Sequence, residues 1–594
     1  MSTRKSASKR PVNARKSAQG KKPIKRAVRQ KQSEAYDLPS WRYGTAVLCI
    51  SALGLLLVGR IAALQVLPDV EQGYEFLQEE GERRSVRDRQ IPAYRGSILD
   101  RNGRPLAVST PLIDITADPT LLNEEHIRQL AAVAGIDLEG LKKKIARYDG
   151  KRFMYIKRGL RPEEAKPILQ ARLPGVRKVE DYRRYYPDGE VLAQTLGLLH
   201  AEGHGIEGLE LGYENWLSGK PGVQRVIVDR NNRVVDQLEQ ISPVEPGRDL
   251  KLTIDLEIQY IAYKAIKAAY LKHRAASASI LVMEPKSGEI LAMASQPSFN
   301  PNNRENIQYH AVRNRALLDI FEPGSTVKPF SMLAAIESGQ YVPATPVETS
   351  PGYIRVDGKV IKDFRNYETL DLSSVLAKSS QVGMVKVALS LDEDRLFETF
   401  QRVGLGEPAI TGFPGEAGGS LPQRYGWDDI QQATFSYGYG ITASTLHIAQ
   451  AYSVIANDGV KVFPSLIKDE SKPSPERVAS VEAVQQVKQM MREVVEVGTG
   501  KRAAVENYSV AGKTGTGHLI GAGGYEDHRY TSLFAGMAPF DDPELVVVVV
   551  VTDPQGEDYF GGLVAAPIFS EVVGGALRIR NVPGEQEDLV VGLR

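Results

Sequence analysis

Six consecutive valines near the carboxyl end of the chain, Val546–Val551 within ELVVVVVVTD, place the strongest constraint on the fold. Successive side chains of a strand point to opposite faces of its sheet, so an unbroken apolar run is buried on both faces. Such a strand belongs in the middle of a sheet that has a layer of structure on each side. The sequence therefore predicts a central, doubly covered strand.

Further strand-like segments surround a helical stretch in the same half of the chain. ASILVMEPKSGEILAMAS is typical of a hairpin that turns at residues 285–288. Residues 509–517 and 530–539 are strand-like, and APIFSEVVGGALRIR is typical of a closing helix. Strands at both ends with helices between them favour an antiparallel sheet covered by helices. We predict an α+β domain over residues 246–580, followed by a short tail at 581–594.

An uncharged apolar segment lies near the amino terminus. Tyr43–Gly59 contains no charged residue, and after Arg60 the apolar character resumes as far as Leu67. A membrane-spanning helix needs ~20 mostly apolar residues, and an arginine near its end can reach the interface. We predict a single transmembrane helix over residues 43–67. A cleavable signal peptide and a buried core helix are the alternatives, disfavoured because neither a small-residue cleavage site nor an amphipathic stripe is present.

The charge distribution predicts how this helix is oriented. Residues 1–42 carry 13 Lys and Arg against 2 acidic residues, so the basic excess of the chain belongs to this tail. Basic flanks stay on the cytoplasmic side, so we expect a disordered cytoplasmic tail and an exported remainder. The orientation of the helix in the membrane is enough to explain the basic tail, so no nucleic-acid partner is expected. The single cysteine, Cys49, lies inside the apolar segment, and the scattered histidines indicate no metal site.

Residues 68–245 alternate strand-like and helical segments and are predicted to form a separate α/β unit. The Pro- and Gly-containing segment ISPVEPGRDL marks its end. Within it we expect a turn at Asn102-Gly103 between two strands, and two helices separated at Gly135. No catalytic constellation is visible here, which favours a structural or docking role.

The segment FEPGSTVKPF places Ser325 and Lys328 three residues apart. Pro329 is tolerated only in the first turn of a helix, so the pair belongs at a helix amino terminus, on one face. There the Ser325 amide is free, and the helix dipole favours a neutral, basic lysine. The alternative is that Ser325 is only a helix cap, because Ser-x-x-Lys occurs four times in this chain.

Two later segments favour chemistry over a cap. Ser379, Ser380 and Gln381 stand at the start of an apolar helical run, and Lys513-Thr514-Gly515-Thr516 lies on a predicted strand. Ser-x-x-Lys, Ser-Ser-Gln and Lys-Thr-Gly in this order resemble the motifs of the penicillin-recognising serine acyl transferases.

The resemblance extends to the rest of the chain. RGSILDRNGRPLA, RRYYP and GIEGLELGYENWLSGKPG are similar to the pedestal motifs of class B penicillin-binding proteins, and SYGYGITAS and YFGGLVAAPIFS are similar to the division-specific FtsI type. The fold implied is the penicillin-recognising transpeptidase fold, preceded by an elongated α/β pedestal and one transmembrane helix.

The resemblance implies a D,D-transpeptidase that cross-links peptidoglycan stem peptides and is acylated by β-lactams. Ser325 would form the acyl-enzyme, Lys328 would be the general base, and Ser379 would relay the proton to the leaving amine. Lys513, Thr514 and Thr516 would hold the substrate's terminal carboxylate, and the amides of Ser325 and Thr516 would form the oxyanion hole. No cofactor is implied. The expected site residues are the catalytic Ser325, Lys328, Ser379 and Lys513 and the substrate-binding Gln381, Thr514, Gly515 and Thr516.

Gln381 departs from the family pattern, because the second motif usually ends in asparagine. The extra methylene moves the amide by roughly 1 Å, and a misplacement of that size can cost ~100-fold in rate. We expect the pocket to compensate. The resemblance also implies an aromatic wall beside the cleft, formed by Tyr530, Tyr559 and Phe560, with ordinary core or surface aromatics as the alternative.

The pedestal region contains no carboxylate-rich glycosyl-transfer motif. The resemblance therefore implies an FtsW-like membrane glycosyltransferase and other division proteins as partners, with the enzyme in the bacterial cytoplasmic membrane at the division septum. The alternatives are an elongation-type transpeptidase, a β-lactamase, and a low-activity β-lactam sensor or scaffold, the last because of Gln381.

Overall fold

The structure is a computed structural model, and it divides into two compact units, residues 1–86 and 87–594. It describes residues 39–66, 74–200, 202–229, 234–521 and 524–585. Residues 1–38 of the expected cytoplasmic tail and residues 586–594 of the expected carboxyl-terminal tail lie outside the described residues, whereas residues 40–42, expected in the disordered tail, belong to the first helix.

The described part of the first unit forms helices α1 (Ser40–Val66) and α2 (Tyr74–Ser85). The most apolar 18 residues within Ser40–Gln65 have a mean hydropathy of 2.3, and α1 is long and apolar enough to span a membrane. The predicted apolar helix is therefore present, although it begins before residue 43, and its passage through a membrane stays a prediction.

The pedestal part of the second unit alternates short strands and helices, as predicted. Its elements are β1 (Val86–Ile91), β2 (Ile98–Leu99), β3 (Pro105–Ala117), α3 (Glu124–Ala134), α4 (Leu138–Ala146), β4 (Met154–Leu160), α5 (Pro162–Gln170), β5 (Val176–Tyr185), α6 (Ala193–Leu196), β6 (Leu198–Leu199), β7 (Gly205–Glu207), α7 (Gly208–Gly212), α8 (Glu214–Leu217), β8 (Gly222–Val228), β9 (Val234–Ser242) and β10 (Leu250–Lys251).

The main sheet of the pedestal is built on β3, which pairs with β2, β4 and β5. A turn at Asn102-Gly103 joins β2 to β3, and Gly135, with a φ of 62°, separates α3 from α4, both as predicted. Strand β10 lies after the predicted end of the pedestal at residue 245. It nevertheless pairs in parallel with β2, with Leu250 opposite Ile98, so the chain stays hydrogen-bonded to the pedestal as it enters the catalytic part.

The three pedestal motifs converge on one buried carboxylate, that of Glu210. Arg95 donates to it at 2.8 Å and Arg184 at 2.7 Å, and Glu210 has no exposed surface. Each of the three residues comes from a different motif. A buried charge needs a partner at hydrogen-bond distance, so this network ties distant segments of the chain together.

The carboxyl-terminal part of the second unit contains the remaining elements. They are α9 (Leu256–Lys272), β11 (Ser277–Met283), β12 (Ile290–Gln296), α10 (Tyr309–Val312), α11 (Arg315–Leu318), α12 (Lys328–Glu337), β13 (Pro346–Glu348), β14 (Tyr353–Val356), β15 (Lys359–Lys362), β16 (Thr369–Asp371), α13 (Leu372–Ala377), α14 (Gln381–Leu389), α15 (Glu393–Arg402), α16 (Asp429–Phe435), α17 (Thr445–Ala456), β17 (Val460–Lys461), β18 (Glu476–Arg477), α18 (Val481–Glu496), β19 (Ala511–Gly521), β20 (Gly524–Ala538), β21 (Leu545–Thr552) and α19 (Gly561–Ile579).

A five-stranded antiparallel sheet with the order β12-β11-β21-β20-β19 organises this part. The valine strand β21 is at its centre. Val546, Val548 and Val550 face the core that contains α12, α17 and α18, and the alternate valines face the core that contains α9 and α19. The predicted α+β class and the doubly covered central strand are confirmed. Helix α19 is apolar enough to span a membrane by composition, but it packs on this sheet.

Replacing Glu210 by glutamine tests the pedestal network. Glu210→Gln is expected to lower the free energy of unfolding of the second unit by about 3–5 kcal/mol, because the buried Arg184 loses its carboxylate partner and Arg95 keeps only Glu214, at 2.8 Å. Pulse proteolysis of the full-length protein in urea measures this change. Glu245→Gln is the matched control, because Glu245 pairs with Lys220 on the exposed surface and should lose less than about 1 kcal/mol. Equal urea midpoints for the two variants would contradict the account.

Candidate active site

Ser325 lies on a single 3-10 turn, Gly324–Val327, and Lys328 begins α12 directly after it. Pro329 occupies the first turn of α12, where a missing N–H breaks no helical hydrogen bond. The sequence-based placement of the pair at a helix amino terminus is therefore confirmed. Ser325 is partly exposed, whereas Lys328 has no exposed surface.

Side chains that the sequence analysis did not single out hold this turn. The hydroxyl of Tyr452, inside the core, donates to the carbonyl of Thr326 at 2.7 Å. The Glu322 carboxylate accepts from the N–H of Gly440 at 2.9 Å and from the hydroxyl of Tyr525 at 3.0 Å. Tyr452 thus fixes the serine turn from the core side, and Glu322 joins it to Tyr525 near the tip of the β19–β20 hairpin.

Ser379 has a left-handed backbone conformation, with a φ of 58°. It follows α13 at a position where glycine is usual, because a side chain there is strained. A serine stands here in place of glycine because its hydroxyl contacts both Lys328 and Lys513. The Lys328 ammonium group donates to the Ser379 carbonyl at 2.8 Å, and the Ser379 hydroxyl lies 3.4 Å from Lys328 Nζ and 3.0 Å from Lys513 Nζ.

The two lysines that meet at Ser379 are both fully buried. Burial lowers the pKa of Lys328 to about 7, against a smaller opposing effect of the Asp363 carboxylate. Burial, and then repulsion by Lys328, lowers the pKa of Lys513 well below its ordinary value. In the sequence analysis Lys513 was expected to help hold the substrate's terminal carboxylate. Burial lowers the pKa of both lysines. In the free site, near neutral pH, at most one of the two side chains is therefore in its ammonium form.

Strand β19 lies at the edge of the sheet, against the serine turn. A Cβ atom on Gly515 would come within 2.8 Å of Thr326 Cγ2 and 3.2 Å of the Pro323 carbonyl oxygen. Only glycine allows the strand to approach the turn this closely. The glycine of the Lys-Thr-Gly motif therefore sets the distance between Lys513 and Ser325.

The two threonines of the motif are held by different partners. The hydroxyl of Thr516 accepts the N–H of Gly561 at 3.0 Å, at the start of α19. The hydroxyl of Thr514 lies 2.8 Å from that of Thr499, a residue that the sequence analysis missed. Thr514 is almost buried and Thr499 is exposed. Thr499 lies on the loop after α18, and only the folding of the chain brings it next to Thr514.

The three aromatic residues expected beside the cleft come together in the structure. Tyr530 stacks on Tyr559 with ring centroids 4.2 Å apart, and Tyr559 contacts Phe560 at 4.3 Å. Phe560 directly precedes Gly561, which bonds to Thr516, so the cluster adjoins β19. None of the three rings belongs to the buried core. Their position does not fit ordinary core aromatics, and their role as a wall beside the cleft stays a prediction.

Gln381 is the first residue of α14, and Asp363 caps this helix from 18 residues earlier in the chain. The Asp363 carboxylate accepts the N–H groups of Gln381 and Val382 at 2.5 and 3.1 Å and the hydroxyl of Ser380 at 2.6 Å. Within the described residues the Gln381 side chain, which is half-buried, makes no hydrogen bond. Its amide is therefore available to a ligand, while Asp363 fixes the backbone around Ser379.

Comparison with known proteins identifies the family. Residues 278–574 match the penicillin binding protein transpeptidase domain, and residues 90–252 match the penicillin-binding protein dimerisation domain. The chain is 41% identical over 548 residues to the probable peptidoglycan D,D-transpeptidase PbpC of Pseudomonas aeruginosa, an alignment that covers 92% of this chain and 96% of the relative. It is 38% identical over 572 residues to the peptidoglycan D,D-transpeptidase FtsI of Escherichia coli K12, covering 95% of each.

A solved structure agrees with these matches. Penicillin-binding protein 3 of Mycobacterium tuberculosis, crystallised with aztreonam, is similar with a TM-score of 0.66 and 28% identity, covering 84% of this chain and 98% of that chain. The chain therefore belongs to the penicillin-binding proteins that carry a serine transpeptidase domain. The dimerisation domain that precedes the transpeptidase domain places it among the class B members.

Substitutions at two glycines of β19 test the close approach of this strand. Gly515→Ala is expected to slow labelling of Ser325 by a fluorescent penicillin about 100-fold, because β19 must move away from the serine turn. Gly517→Ala is the control on the same strand, since its Cβ would meet only the Glu322 carbonyl oxygen, at 3.7 Å. Stopped-flow fluorescence measures both rates. If the two variants were labelled equally fast, the steric argument would fail.

Proposed function

We propose that this protein is a membrane-anchored peptidoglycan D,D-transpeptidase that cross-links stem peptides during septal wall synthesis. The observation that carries the proposal is the buried Lys328, with a pKa of about 7, hydrogen-bonded to Ser379 and one turn from Ser325. A lysine that is neutral near physiological pH is a competent general base.

Acylation follows from this arrangement. Ser325 Oγ attacks the carbonyl carbon of the penultimate D-alanine while its proton passes to Lys328 Nζ. The bond to the terminal D-alanine breaks, and the proton reaches the leaving amine through the Ser379 hydroxyl, which lies 3.4 Å from Lys328 Nζ. The Ser325 amide makes no backbone hydrogen bond within the described residues and is available, with that of Thr516, to the oxyanion.

Substrate binding would restore the charge of Lys513. The terminal carboxylate of the stem peptide, held by the hydroxyls of Thr514 and Thr516, places an anion beside a lysine that burial has made less basic. The carboxylate raises the pKa of Lys513 and stabilises a proton there. The proton of the pair then resides on Lys513, and Lys328 stays neutral. Gln381 and the aromatic cluster of Tyr530, Tyr559 and Phe560 would border the bound peptide.

Transfer completes the reaction. An amine from a neighbouring stem peptide gives its proton to Lys328 and attacks the ester carbonyl carbon. The bond to Ser325 Oγ breaks, and the serine regains its proton. The products are the cross-linked peptide and free enzyme. β-Lactams would acylate Ser325 by the same first step.

The cellular setting is also a proposal. The apolar helix α1 with the basic tail before it supports a single-pass anchor in the cytoplasmic membrane and an exported catalytic part. Similarity to FtsI supports a septal role, with an FtsW-like glycosyltransferase and other division proteins as partners. Depletion of the protein should then give filaments. Rounded cells would support the elongation-type alternative.

The chemistry is tested by labelling the purified full-length protein with a fluorescent penicillin. A stable adduct on the peptide that contains Ser325, absent in Ser325→Ala, is expected, together with cross-linking of stem peptides. Fast turnover of the penicillin would support a β-lactamase. No labelling at all would contradict a transpeptidase.

The acylation rate is expected to depend on pH through Lys328. Only the neutral amine accepts the Ser325 proton, so the rate should rise as pH increases through about 7 and then reach a plateau. Stopped-flow labelling between about pH 5.5 and 8.5 gives the profile. A rate that is constant or falls over this range would contradict Lys328 as the base.

Gln381 decides between an active enzyme and a low-activity sensor or scaffold. Gln381→Ala is expected to slow acylation about tenfold, the effect of one lost hydrogen bond to the ligand, and Gln381→Asn should retain the rate within a few-fold. Labelling kinetics and cross-linking measure both steps. An unchanged rate in Gln381→Ala, combined with no cross-linking by the native protein, would favour the sensor or scaffold.

A further inference from the structure

A second polar pocket lies at the opposite edge of the catalytic sheet, formed by the segment 297–311 that follows β12. Its volume is about 260 Å³, slightly below the range of drug-sized ligand sites and suited to one ring-sized group. Strands β12 and β19 are the two edges of the five-stranded sheet. Four strand spacings therefore separate them, ~19 Å, and the pocket is distinct from the Ser325 cleft.

The rim of this pocket is polar and its floor is apolar, with Phe299 and Ile307 among the floor residues. No Asp, Glu, Lys or Arg side chain lines it. Arg304, within the same segment, instead donates to the Leu199 carbonyl at 2.6 Å. An ionic ligand would lose its hydration without gaining a counter-charge, so the lining favours a neutral ligand. The polar rim residues are Asn300, Asn303, Asn306, Gln308 and His310.

The rim amides are available for hydrogen bonds. The side-chain oxygens of Asn300 and Asn303 accept backbone N–H groups at 2.9 and 3.3 Å, so their NH₂ groups remain as donors. Within the described residues the side-chain amides of Asn306 and Gln308 make no hydrogen bond. Each of these two offers both donors and an acceptor. The pocket thus suits a ligand that itself carries donors and acceptors.

The pocket is preformed at the seam between the pedestal and the catalytic part. The Asn302 side chain bonds to both the N–H and the carbonyl of Tyr186, at 3.0 and 2.8 Å. Phe299 packs with Leu198 of the pedestal. The apolar floor formed by Phe299 and Ile307 offers a surface on which an amphipathic ring can pack.

We propose that this pocket binds an N-acetylated sugar of the peptidoglycan glycan strand, an inference that rests on the proposed function. Hydroxyl and acetamido groups are neutral and pair with planar amides, and the apolar face of a sugar ring matches the apolar floor. Stem peptides carry free carboxylates and amines, which the uncharged lining does not complement. A glycan strand held here would keep its stem peptides within reach of Ser325.

The test uses N,N′,N″-triacetylchitotriose as a neutral probe and the full-length protein in a detergent without a sugar headgroup. Saturation-transfer NMR should detect transfer to the acetamido methyl groups. The double variant Asn306→Ala/Gln308→Ala should weaken binding about tenfold, since several neutral hydrogen bonds are lost. Gln485→Ala, which changes an exposed residue elsewhere, is the matched control and should bind normally.

Three results would overturn the inference. The first is the lack of transfer with the native protein, and the second is equal transfer in the rim variant and its control. The third is competition by penicillin, because it would locate the sugar in the Ser325 cleft. Penicillin labelling of the same samples separates the two proposals. Normal labelling without sugar binding overturns only this inference, whereas sugar binding without labelling overturns the proposed function.

Discussion

The contact of one serine, Ser379, with two buried lysines is the interaction on which the site depends. The Ser379 carbonyl and hydroxyl oxygens accept hydrogen bonds from Lys328 Nζ, and the same hydroxyl accepts one from Lys513 Nζ. Burial lowers the pKa of Lys328 against a smaller opposing effect of Asp363, and burial together with repulsion by Lys328 lowers the pKa of Lys513. Burial therefore favours the neutral Lys328 that the proposed mechanism needs as its base, and the serine keeps the two lysines in place.

The rest of the fold serves to hold these groups at their distances. Ser379 keeps a strained left-handed conformation because α13 ends just before it and Asp363 caps α14 just after it. Gly515 lets β19 approach the serine turn, and β19 is positioned by a sheet whose centre is the valine strand β21. The two cores on either side of β21 fix that sheet between two helical layers. Local strain at the site is thus balanced by extensive apolar packing.

Local patterns predicted the parts of this structure that depend on neighbouring residues. The valine run, the hairpin of β11 and β12, and the first turn of α12 at Pro329 follow from strand alternation and proline geometry. Contacts between distant segments had no local signal. Asp363, Thr499 and Glu210 gain their importance from the topology, because their partners lie between 15 and 115 residues away. The grouping of the three catalytic motifs came from family resemblance, since spacing alone left Ser325 open as a helix cap.

The most direct test of this account is the pKa of Lys328 measured at its own side chain. Full-length protein with ¹³C at the lysine ε-carbon can be titrated by NMR, with Lys328→Arg and Lys513→Arg used to assign the two buried signals. The account predicts that the Lys328 signal titrates near pH 7 and that the Lys513 signal also titrates well below its ordinary value. A Lys328 signal that stays cationic up to about pH 10, the ordinary range for lysine, would contradict it.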